Sequence, residues 1–166
     1  MAREYIIPNS QATVANQAVS LNFVQAPTAA PIVVLEMLRA FVSQSANATS
    51  AQQRVQLSRQ TSTFPTLTSQ APVTLKDSDP ASKITGGTAG AAGTSGINAS
   101  AEGAGTKTVL YPDAFNVLNG WLWVPTPYET IVESAQSTAE GFAVVFPAAP
   151  ATLTNWNSGL VFRELG

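Results

Sequence analysis

Eleven prolines are spread along the chain, and between them apolar and polar residues alternate with a period of two, so the sequence leaves little room for helix. Proline removes a backbone donor and clashes with the preceding turn of a helix, while successive residues of an extended chain point to opposite faces. Val19, Leu21 and Phe23 face one way and Ser20 and Asn22 the other, the pattern of a half-buried strand. Segment 32–42 carries Glu36 and Arg39 at a helical i,i+3 spacing. Its β-branched and aromatic content, with Pro31 before it and the polar stretch 43–50 after it, predicts a strand instead. Segment 53–59 alternates again and is expected to return antiparallel to it as a long hairpin. Shorter runs follow at 73–75, 108–111, 117–124, 130–133, 141–146 and 160–163. Strands of this number and length, separated by Pro, Gly or Asn, predict an all-β fold: an antiparallel β-sandwich of jelly-roll type.

At 166 residues one domain suffices, and we expect an N-terminal arm over 1–17 followed by a single sandwich over 18–166. Segment 86–105 interrupts it. Seven of its twenty residues are Gly and six are Ala, which bury too little apolar area to offset their ordering entropy. It reads as a long loop or arm, able to reach roughly 65 Å when extended, and deletion of 90–96 within it is expected to leave the fold intact.

Only 11% of the residues are charged, against about 25% in an ordinary soluble domain. Ser, Thr, Asn and Gln, 52 residues together, must cover the surface instead. With neither His nor Cys there is no imidazole base, no thiolate, no zinc site of the usual ligands and no disulfide. An enzyme would have to work with carboxylates or hydroxyls alone, so no catalytic residue, metal or cofactor is expected. Four basic residues and two acidic ones in 1–75, then four basic and eight acidic ones in 76–166, form no basic patch, so nucleic acid is not an expected partner. The first eleven residues lack the apolar stretch of an export signal, and 31–42 is too short and too charged to span a bilayer, so no membrane association is expected.

Short motifs resolve into turns. Asp77 and Asp79 before Pro80 lack the Gly and the closing Glu of a calcium loop and suit an Asx turn. Gly103, Gly105 and Lys107 have the wrong spacing for a phosphate loop. Glu133 and Glu140 bracket a turn and are expected to be solvated rather than a glycosidase pair. The sequons at Asn47 and Asn98 are expected in turns. The aromatic residues say more. Trp121 and Trp123 share one face of a strand and Leu122 and Val124 the other, which suits a buried strand or one that covers a partner. Trp156, in a polar turn, suits either a core position or an interface anchor.

The order of segments LEMLRAFVSQ, NATSAQQRVQLSR, KDSDPAS with a Gly/Ala/Thr-rich stretch, FNVLNGWLWVPTP and LTNWNSGLVFREL resembles small virion proteins encoded beside the major capsid protein in tailed bacteriophages. That resemblance implies a capsid decoration, or cement, protein: synthesised in the host cytoplasm, bound outside the assembled shell, usually a trimer, with the major capsid protein and its own copies as partners. The run from Trp156 to Phe162 also resembles the last strand of tumour-necrosis-factor-like trimeric jelly rolls, which packs near the subunit interface. On this reading Trp156 and Phe162 of the final strand lie near subunit contacts, Trp121 and Trp123 at a subunit or capsid interface, and the N-terminal segment with Ile6 and Ile7, or the Gly-rich segment, meets the shell. A receptor- or carbohydrate-binding module of a head or tail fibre is the alternative, because exposed Trp and Tyr favour stacking on sugars.

Overall fold

The structure, a computed structural model, describes residues 3–29, 33–45, 49–133 and 140–166. Among them lie thirteen strands and no helix. In chain order these are β1 (Arg3–Ala12), β2 (Val19–Gln25), β3 (Val34–Gln44), β4 (Gln52–Thr61), β5 (Thr66–Ser69), β6 (Val73–Thr74), β7 (Thr85–Gly86), β8 (Thr94–Ala101), β9 (Thr106–Asn116), β10 (Trp121–Trp123), β11 (Ile131–Glu133), β12 (Glu140–Phe146) and β13 (Trp156–Leu165). They form two sheets packed together, the expected β-sandwich. Sheet I runs β10-β3-β13-β1-β6, with β11 on the same edge of β3 as β10; sheet II runs β5-β8-β2-β12-β4-β9, with β7 beside β8. All pairings are antiparallel except the two-residue contact of β7 with β8.

Period-two patterning produces the core. Tyr5, Ile7, Leu35, Met37, Leu160 and Phe162 turn inward from sheet I and are fully buried. Aromatic rings pack within and between the layers: Tyr5 lies 5.8 Å from Phe162 inside sheet I, and Phe146 of sheet II lies 4.8 Å from Trp156 of sheet I. Buried amides tie the sheets together, with Asn22 Nδ2 donating to Ile7 O at 3.0 Å and Asn9 Nδ2 to Leu21 O at 3.2 Å. Such bonds hold register, because a slip would strand the amides without partners.

Three expectations change. β3 and β4 are not a hairpin: β13 takes one side of β3 and β10 with β11 take the other, so β4 crosses to sheet II between β12 and β9. The N-terminal segment is not an arm, since residues 3–12 are β1, held between β13 and β6. Segment 86–105 is not a loose loop either. It contains β8, paired on one side with β2 and on the other with β5.

Glycine is the reason that segment packs. A Cβ at Gly103 or Gly105 would run into the carbonyls of Thr63, and one at Gly96 into Leu67 and the Thr68 carbonyl. Without side chains, backbone nests on backbone, and main-chain hydrogen bonds replace the apolar area the segment lacks. Its one carboxylate also pins it: Glu102 accepts bonds from the Ser20 backbone and hydroxyl and pairs with Lys107. That ion pair accounts for Lys107, the residue of the false phosphate loop. Every residue of β2 is buried, so both faces of sheet II are covered there. Phe23 meets Phe64 at 5.7 Å, and Gly90 rests against both.

Asp79 N donates to Lys76 O at 3.0 Å, so the chain turns there through its backbone and not through the expected Asx side-chain bond. Asn98 sits within β8 rather than a turn, exchanging amide hydrogen bonds with Asn9. The sequon residue Asn47 lies outside the described residues, as does 134–139, where a turn is expected from sequence.

Candidate interaction face

The outward side of sheet I is built by the same alternation that builds the core, and the register sets its residues in three cross-strand rows. Leu122, Phe41, Gly159 and Pro8 form the first. Arg39, Val161, Ile6 and Val73 form the second. Val132, Glu36, Arg163 and Glu4 form the third. The first row is wholly apolar. Gly159 makes room for the Phe41 ring to lie across β13 toward Ile6, so two strands share one flat apolar surface. Leu122, 64% exposed, stands at its edge, with Val124 beyond.

The third row neutralises itself. Arg163 lies between two glutamates, 2.8 Å from Glu4 and 3.2 Å from Glu36. The side-chain bond to Glu4 leads in holding the guanidinium charged beyond its already high ordinary value. Arg39 is exposed beside this triad, which leaves the face with two cations and two anions. Between the rows a groove of about 340 Å³ runs past Leu38, Arg39, Val161, Leu75, Val124 and Glu4. A β-bulge on β3, where Val161 faces Arg39 and Phe162 already faces Met37, leaves Leu38 unopposed at its side.

The residues singled out from sequence divide sharply. Only Ile6 lies on this face. Ile7 points the other way, as adjacent residues of a strand must, and is fully buried. Trp156 is 1% exposed, its Nε1 donating to Thr152 O at 2.8 Å. Phe162 is buried beside Tyr5, Trp121 gives its Nε1 proton to Asp113 at 2.8 Å, and Trp123 packs against Tyr111. These five side chains are covered by their own chain and present almost no surface to another. A Trp needs a large apolar enclosure and one acceptor, and the core supplies both. Phe41, Val161 and the triad are the outward residues that sequence reading passed over, whereas alternation had already set Leu122 on the face opposite the tryptophans.

Glu133 is not solvated. It is buried at the end of β11 and reaches across the sandwich to Arg59 of β4, whose Nε is 2.7 Å away; Glu140 of β12 stands 3.4 Å from the same nitrogen. Desolvation raises the Glu133 carboxyl above the ordinary glutamate value, against the opposing bond from Arg59. Arg59 Nη2 also donates to Val132 O at 3.3 Å, so the three side chains clasp the two sheets at one end. Among the described residues no group of three or more acidic side chains is arranged to hold a metal ion.

Comparison with family models, with curated proteins and with solved structures finds no match in any of the three.

Proposed function

We propose that the chain is a structural virion protein that binds the outside of an assembled phage capsid as a homotrimer and strengthens the shell through contacts between copies. The observation that carries this reading is the outward face of sheet I: an apolar row next to a self-neutralised charged row, on a subunit whose core is already closed without it. A subunit packed densely among its own copies gains from low like-charge repulsion, and a face with two cations and two anions meets that need. The sparse charge of the whole chain points the same way.

The face is also large enough. The long strands β1, β3 and β13 with the short β6, β10 and β11 hold 39 residues, which at about 3.3 Å along the strand and about 4.8 Å between strands cover on the order of 600 Å² per subunit, close to the roughly 800 Å² per partner of a standard interface. The purified chain is expected to sediment with undecorated capsids of its phage and to raise their melting temperature. Absence of binding at micromolar concentration overturns the reading.

A further inference from the structure

A second site lies where the free edges of the two sheets meet. β9 ends sheet II, β10 and β11 end sheet I, and between them opens a cleft of about 270 Å³. Tyr111 of β9, 42% exposed, and Trp123 of β10 stand at a 62° angle with ring centroids 6.2 Å apart, so they form a corner rather than a stack. Leu110 and Ile131 extend the apolar walls. Arg59, Glu129 and Thr130 supply the polar side.

The corner asks for a ligand with an apolar face and a polar edge. Arg59 is held in place by Glu133, Glu140 and the Val132 carbonyl, so its remaining donors are fixed before anything binds. Glu133 and Glu140 flank the guanidinium and Glu129 lines the same cleft, so carboxylates outnumber the one cation, which disfavours phosphate, sulfate and carboxylate groups. A purely apolar ligand would leave the Arg59 and Glu129 groups desolvated and unpaired. The cleft is slightly smaller than the roughly 300 Å³ at which drug-sized sites begin, a space suited to one sugar ring.

We propose that this cleft binds one neutral sugar residue of an oligosaccharide, with the C–H face of the ring against Tyr111 and its hydroxyls toward Arg59 and Glu129. None of its lining residues belongs to the three outward rows of sheet I, so binding there would let the same protein touch a glycan-coated surface while those rows are covered.

Saturation-transfer NMR on the intact chain tests it, with methyl glycosides of glucose, galactose, mannose and N-acetylglucosamine, against glucuronate and N-acetylneuraminate. Saturable binding of at least one neutral glycoside at millimolar concentration is expected, weakened about tenfold or more by Tyr111→Ala. Glu129→Gln, at an exposed carboxylate, should weaken binding as well, while Leu122→Ser on the outer face of sheet I should leave it unchanged. The proposal is overturned by no saturation of any neutral glycoside up to about 50 mM, by tighter binding of the acidic sugars, or by binding that survives Tyr111→Ala.

Discussion

Two glycines carry aromatic rings, and their surroundings decide what a methyl group would do. A Cβ at Gly141 would overlap the ring of Phe23, which is fully buried and also packed on Phe64. A Cβ at Gly159 would overlap Phe41, whose ring lies on the outward face and can swing toward solvent. Gly141→Ala is therefore expected to cost about 1–3 kcal/mol, the range for overpacking a closed core, and Gly159→Ala clearly less. Urea denaturation of the two variants checks the order; equal losses would show that the Phe41 ring is as confined as Phe23.

Glu133 makes stability depend on pH in the direction opposite to an ordinary surface carboxylate. Burial raises its folded value above 4.5, so the unfolded chain releases the proton first as pH rises. Below that window both states hold the proton. Within it the folded state alone does, and stability contributed by Glu133 falls as pH increases toward the raised value. Glu133→Gln, neutral throughout, should show a flatter fall of the urea midpoint as pH rises above the ordinary glutamate value. Parallel curves for the two proteins would mean that Arg59 compensates the buried charge fully.

Among elements, β8 departs furthest from its composition. Few of its residues are large, yet it lies between β2 and β5 with Ser95 and Ala99 buried. Thr85 and Gly87 bond to Gly93 and Ser95 of the same segment, and Ser95 Oγ donates to Gln70 O at 2.6 Å. Deleting 90–96 removes the start of this strand and uncovers Phe23. A loss of several kcal/mol or failure to fold is expected, because buried main-chain groups of β2 would lose partners. A chain that keeps its wild-type thermal midpoint after the deletion would show that β2 tolerates an open edge. The strand pattern of β2, β3, β4, β12 and β13 was legible because one face of each carries large apolar residues. β8 was not, since glycine gives no periodic signal and works through the close approach of other backbone.

For the whole molecule, assembly and folding should separate. Leu122 stands on the outer face between two buried tryptophans, so Leu122→Arg adds a charge to the apolar row without entering the core. The proposed trimer should dissociate while the subunit, compared at concentrations where both proteins are monomeric, keeps its stability within about 0.5 kcal/mol of wild type. Light scattering and calorimetry read the two quantities. A trimer that persists in Leu122→Arg places the subunit contact elsewhere.

The sequence by itself determined that the chain is all-β, and which residues of most long strands share a face, because both follow from local sterics and a two-residue period. It also determined that imidazole and thiol chemistry are absent. Tertiary structure alone decided that β3 and β4 belong to different sheets, that Ile6 faces out and Ile7 in, and that Trp156 closes a core instead of an interface. It also joined Glu133 to Arg59 across the sandwich. Alternation states that a strand has two faces. Which face is covered, and by what, depends on partners tens of residues away, selected by the burial of the whole molecule.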